Sequence, residues 1–219
     1  MGKKNISQKI DPIEKSIQLL VEGHDEVVFI EAMLEEMGIF QNIQVQDFGG
    51  RDRLKTFFEV MIAKPELWGK VESIGVLMDA DESFASAFQR VQTVFMNSQR
   101  LGRSYDESNG RITFNDFSVK VSVFISPDHQ GSGMLETLLL RSASDKAAVK
   151  CMEHYFECLN QNGANEYPAN EEKAKLQVYM ASRKTFPNQI ERSIQKKIWD
   201  FNSPHFNDIK VFLNSLKKS

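Results

Sequence analysis

Two short apolar runs, each ending in acidic residues, constrain this chain more than any other feature. The first reads Leu19-Leu20-Val21-Glu22-Gly23-His24-Asp25-Glu26, and the second Ile74-Gly75-Val76-Leu77-Met78-Asp79-Ala80-Asp81. Apolar stretches with no polar alternation read as central parallel strands covered on both faces, and ligands of such sheets bind just beyond the strands' carboxyl ends. Carboxylates placed there are costly unless a cation meets them. A divalent metal is the simplest such cation, because Mg2+ is held by one or two carboxylates together with waters and phosphate oxygens.

The first half alternates strand and helix. Ile17 to Val21 reads as a strand, and Val27, Ile30, Met33, Leu34 and Met37 then follow helical spacing up to a terminating Gly38. Ile43 and Val45 alternate toward Phe48 as a second strand, which Gly49-Gly50 breaks. Leu54, Phe57, Phe58, Met61 and Ile62 form one helical stripe that Pro65 closes. Val71 to Met78 is the third strand, and Phe84, Phe88, Val91 and Phe95 mark its helix. This βαβαβα order predicts an α/β fold with a mostly parallel, Rossmann-like sheet flanked by helices. Residues 99–111, polar and carrying Gly102 and Gly110, read as a flexible loop or insertion. Ile112–Phe117 and Val119–Ile125 read as two further strands, the second joining the main sheet and the first pairing at its edge. From Met134 onward the pattern is helical. A soft boundary near residue 142 divides a metal-binding domain, residues 15–142, from a helical C-terminal extension, residues 143–219, packed on or beside it.

The 219 residues, with sixteen Phe and nine Met, suffice for one globular domain of the larger kind. No apolar stretch approaches the roughly 18 residues that a membrane span requires. The segment Met1–Asp11 lacks the apolar core of a signal peptide, and Ile6 stands where a myristoylation signal wants Ser or Thr. Cys151 and Cys158 have neither metal-type nor redox-type spacing, which fits free thiols in the cytoplasm. The net charge of −3 hides an asymmetry: Lys173 to Ser219 holds ten basic residues against three acidic ones, a local +7. An acidic domain followed by a basic region suits a polyanion whose phosphates touch both metal and Lys or Arg; a solvated lysine-rich helical surface is the other reading.

If the strands ending at Glu22 and Asp79 are neighbours, their backbones lie about 4.8 Å apart, and their terminal side chains share one small volume. Asp79 and Asp81 share a face if strand geometry continues through Ala80; Asp81 can instead cap the helix that follows. Glu26, one turn past Gly23, can reach back to the same spot. Gly23 permits either an unusual backbone conformation or a close approach. His24 and His129 fall in loops near the site, where solvated histidines are common. Arg51, Asp52 and Arg53 either bind phosphate or simply begin a helix. Lys173, Lys175 and Lys184 are the best basic candidates for stabilising phosphate charge, although nothing in their spacing selects one.

Glu22-Gly23 after one strand and Asp79-Ala80-Asp81 after a later one resemble the Toprim domain shared by primases, topoisomerases, recombination proteins and OLD-type nucleases. The form Val21-Glu22-Gly23-His24-Asp25-Glu26 is most similar to the OLD-type nucleases, with Glu26 where Asp is more usual. Gly133-Met134-Leu135-Glu136 resembles the Gly-x-Leu-Glu of small stand-alone bacterial Toprim-like proteins of unassigned function. The resemblance covers roughly residues 15–140. It implies a Toprim-like fold in which Glu22, Asp79 and Asp81 are catalytic and bind Mg2+ or Mn2+, with Glu26 and Glu136 as further metal ligands. It also implies nucleic acid as partner, contacted by Arg51, Arg53, Lys173, Lys175 and Lys184, and a homodimer by family analogy. With no Gly-x-x-x-x-Gly-Lys-Ser/Thr signature in the sequence, any ATPase is expected on a separate chain. The expected activity is metal-dependent phosphodiester hydrolysis. The alternative is a non-catalytic Toprim-like module that binds nucleic acid, a nucleotide or a partner ATPase. A nucleotide-sugar transferase is disfavoured, since Glu22-Gly23 would have no role in it.

Overall fold

Six strands build one mixed sheet in the order β2-β1-β3-β6-β5-β4. In this computed structural model residues 10–163 and 166–217 are described; the amino terminus through Lys9, including Ile6, and the basic Lys218 lie outside the described residues. The strands are β1 (Ile17–Val21), β2 (Ile43–Asp47), β3 (Ser73–Asp79), β4 (Ser104–Asp106), β5 (Arg111–Phe114) and β6 (Phe117–Ser126). The first three and β6 run parallel, with Leu19 opposite Gly75 and Asp79 opposite Ser126. β5 and β4 add an antiparallel margin beyond β6. The stretch 99–111 is therefore not a plain loop: three of its residues form the edge strand β4. Tyr105 anchors that strand, packing 5.8 Å from Phe95 and donating to Gln92 Oε1 at 2.8 Å.

Helices cover both faces, as two apolar runs without alternation demand. On one face α2 (Leu54–Ala63) and α3 (Phe84–Asn97) bury Phe57, Phe58, Met61 and Phe95 against Leu20, Val76 and Met78. On the other, α1 (His24–Glu36) and α4 (Leu135–Ser142) bury Phe29, Ile30 and Leu139 against Leu19, Val21 and Leu77. The helices after residue 142 enter this second core. They are α5 (Lys146–Gln161), α6 (Glu171–Ala181), α7 (Ile190–Gln195) and α8 (Asn207–Ser215). Phe212 of α8 packs 5.4 Å from Phe124 of β6, and Phe206 lies 5.5 Å from Phe29 of α1. Full burial of side chains this size contributes roughly 1.5–3 kcal/mol each. The chain's end is thus a wall of the sheet's core. No helix among the described residues is long and apolar enough to cross a membrane.

Gly75 shows how closely that wall is seated. A Cβ added there would meet Leu216 Cδ1 at 2.9 Å and Leu19 Cδ1 at 3.0 Å. Gly75→Val should therefore push the last helix off the sheet and destabilise the fold by about 1–3 kcal/mol. Urea unfolding measures this, and a midpoint equal to wild type would show that the Leu216 contact contributes little.

Candidate functional site

β1 and β3 are hydrogen-bonded neighbours, so Glu22 and Asp79 leave adjacent strand ends. The loop after β2 then folds over them. Gly49 and Gly50 take φ values of 77° and 102°, a region that disfavours side chains, and Gly50 N–H donates to the Glu22 carbonyl at 2.8 Å. The next residue, Arg51, donates its backbone N–H to Glu22 Oε1 at 3.2 Å and its guanidinium to Asp81 Oδ2 at 2.5 Å. Arg51, Asp52 and Arg53 do begin a short helical turn leading into α2, yet Arg51 faces the site.

Asp81 departs from expectation. Strand geometry ends at Asp79, and Asp81 sits at φ 49°, in a two-way backbone bridge with Gly133 at 2.8 and 2.9 Å. The two aspartates therefore do not share a face by strand alternation. Nor does Asp81 cap α3: Ser83 does, its Oγ accepting from Ser86 N–H at 3.2 Å.

On the other side of Asp79 the N-termini of α1 and α4 meet. Asp79 Oδ1 accepts from Leu135 N–H, the first residue of α4, at 3.1 Å. Glu26 and Glu136 lie in the first turns of α1 and α4, where the helix dipole favours negative charge. Gly23 has φ −155°, an ordinary extended conformation, so its role is one of space: a Cβ there would lie 3.1 Å from Glu26 Oε2. Lys173 of α6 approaches Glu136 Oε1 at 3.7 Å over a side chain only 8% exposed.

The electrostatics are those of crowded like charges. Burial, followed by repulsion from Glu26, Glu22, Glu136 and Asp81, holds Asp79 well above the usual carboxylate range. Burial pushes Glu26 up to about 7, helped by Glu136, Glu22 and Asp25. Glu22 and Glu136 are also raised, chiefly by burial, although Arg51 opposes the shift at Glu22 and Lys173 at Glu136. Lys173 is raised in return, first by Glu136. One further polar group lies close by: the Ser126 hydroxyl, buried and without a hydrogen-bond partner, on the strand residue opposite Asp79.

A cleft of about 890 Å³ opens from Asp79 and Asp81, with Arg51, Arg90, Arg141 and Thr137 among its lining residues. Arg90 and Arg141 escaped the sequence reading, since a lone arginine on a helix is ordinarily solvated. Lys175 is engaged by Glu171 at 2.6 Å and Glu172 at 3.7 Å, and Lys184 is exposed in the turn after α6. Arg53 is exposed in the turn before α2. His24 opens α1, exposed, whereas His129 is partly buried against Phe124 and accepts from Ile125 N–H at 3.0 Å, which makes it a packing residue.

Five carboxylates thus gather from four segments, with Arg51 and Lys173 opposing them. Among the described residues no group of three or more His, Cys, Asp or Glu is arranged as a ready metal site. The donor chemistry nevertheless fits a hard cation: oxygen ligands only, raised carboxyl groups and an unsatisfied hydroxyl.

The raised carboxyl groups bind more protons in the native state than in the unfolded chain above about pH 4.5, so stability falls as pH climbs through the folded-state values. Melting in EDTA should give a Tm that drops between about pH 5 and pH 8. Glu26 should account for on the order of 1–2 kcal/mol of this, after allowance for solvent screening. Glu26→Gln should flatten the slope, and Mg2+ should restore stability at the upper end. A Tm that rises over this range would contradict the burial of these groups.

Among curated proteins none matches this chain. Three solved structures of the C-terminal region of the Xanthomonas campestris pv. campestris OLD protein are similar to it, each at TM-score 0.42. The iodine-phased one is 16% identical, covering 93% of this chain and 100% of that one; the mercury-phased one is 14% identical with the same coverage. The platinum-phased one is also 14% identical, covering 92% and 95%. The family model described as "Protein of unknown function (DUF3226)" matches residues 16–218, and the chain belongs to that family.

Proposed function

We propose that this chain is a Toprim-type nuclease that hydrolyses phosphodiester bonds of nucleic acid with Mg2+ or Mn2+. The observation that carries the reading is the gathering of Glu22, Glu26, Asp79, Asp81 and Glu136 at adjacent strand and helix ends, where burial, with repulsion from neighbouring carboxylates, raises the pKa values of Glu22, Glu26, Asp79 and Glu136. Glu22, Asp79 and Asp81 would hold one ion, and Glu26 and Glu136 a second. A bound divalent ion supplies Lewis-acid stabilisation of phosphate charge and eases the deprotonation of water.

The remaining work falls to the chain's own groups. Without a metal, Glu26 holds its proton up to about pH 7, and a bound cation would displace that proton and leave the carboxylate as a ligand. Arg51 and Lys173, each now held by one carboxylate, keep further N–H donors that would meet a phosphate at this site. The N-terminus of α4 orients Asp79 through Leu135 N–H.

A second reading has one observation in its favour. The Arg51–Asp81 bridge already neutralises one proposed ligand, as it would in a non-catalytic module that binds nucleic acid, a nucleotide or a partner ATPase. One experiment separates the two. Supercoiled plasmid and single-stranded DNA or RNA are incubated with Mg2+ or Mn2+ and either wild type or Asp79→Asn. The nuclease reading expects cleavage that the substitution lowers by about a hundredfold or more. Wild type that cleaves nothing supports the second reading, and equal cleavage by both proteins points to a contaminating enzyme.

A further inference from the structure

The cleft beside Asp79 and Asp81 has a lining that the acidic cluster does not explain. Arg90 projects from α3 and Arg141 from the last turn of α4, and both line the same cavity as Arg51. Their present partners are of two kinds. Arg90 reaches Asp52 at 3.4 Å, and that aspartate side chain is 89% exposed, so the pair is weak and exchangeable. Arg141 donates to Asp128 Oδ2 at 2.7 Å, and the same carboxylate is fixed by the N–H groups of Gln130 and Gly131. One guanidinium is therefore free to change partners while the other is aimed. Each carries five N–H donors and uses one of them in these bridges, leaving donors for a further anion.

We propose that Arg90 and Arg141 form a phosphate track that seats the sugar-phosphate backbone of a single nucleic-acid strand leading to Asp79. The inference rests on the nuclease reading for its ligand class and adds the strand path. Two properties of the cleft select a single strand bound through its backbone. At about 890 Å³ it has the size of a small-ligand pocket, which admits a few nucleotides of one strand but does not enclose a duplex. Among the described residues that line it none is aromatic, so there is no platform for stacking bases, and charge must dominate.

Charge also couples the strand to metal. Besides Asp79 and Asp81 the cleft presents Glu82, Glu171 and Glu172, so its five carboxylates outnumber its three guanidiniums. A divalent cation at the Asp79 end brings the two signs into balance, and the strand and the ion should each strengthen the other's binding.

The test is anisotropy of a fluorescent single-stranded oligonucleotide titrated with full-length protein. It is run in Ca2+, an oxygen-seeking cation, and repeated in EDTA. Arg90→Gln and Arg141→Gln should each weaken binding about tenfold, and each should lower the slope of log affinity against log salt by about 0.7. Arg90→Lys and Arg141→Lys keep the charge and should recover most of that slope. Lys150→Ala, at an exposed position of α5, should bind as wild type does. Circular dichroism of each variant confirms folding.

Binding in Ca2+ that ignores both Gln substitutions overturns the track, and so does an absence of binding by wild type. Duplex that competes as well as single strand overturns the strand assignment. Arginine-dependent binding by a wild type that never cleaves keeps the track and removes the nuclease reading. Metal-dependent cleavage unaffected by either arginine does the reverse.

Discussion

Repulsion among carboxylates at the end of the central strand is the constraint around which this molecule is arranged. Asp79 closes β3 with Glu22, Glu26, Asp81 and Glu136 all close enough to raise its pKa. Taking even one carboxylate out of water costs several kcal/mol unless it is paired or protonated. The fold answers with local devices: a helix N-terminus aimed at Asp79, a guanidinium on Asp81 and an ammonium over Glu136. Each offsets part of the repulsion. None cancels it, which is why Glu22, Glu26, Asp79 and Glu136 stay raised and why an oxygen-liganded cation suits the place.

Much of the frame was legible in the sequence because burial on both faces leaves a plain mark. Leu19-Leu20-Val21 and Ile74 to Met78 are apolar without alternation, and they are the neighbouring strands β1 and β3. Gly49-Gly50 marked the turn that lies over the site. What escaped notice did so for physical reasons. β4 is three residues long with exposed Ser104 and Asp106, so Tyr105 was the strand's one apolar signal. The turn at Asp81 depends on a bridge to Gly133, a long-range pairing that no local pattern encodes.

The basic C-terminal region illustrates the difference between composition and placement. Of its ten Lys and Arg residues, Lys173 reaches the acidic cluster, whereas Lys175 is spent on neighbouring glutamates and Arg183 on Asp145. The arginines of the cleft come instead from the first 172 residues, the part whose summed charge is negative. Net charge per segment was a poor guide to the sign of any particular surface, because helices distribute their residues over several directions.

The contact between Gly75 and Leu216 has a bearing on how the fold is assembled. β3 lies in the middle of the sheet, yet the side chain that closes one side of it comes from far along the chain. Pairings of such sequence separation cost loop-closure entropy before they reward it, so this side of the sheet should be covered late in folding, and partly folded molecules expose apolar surface to chaperones and proteases until it is.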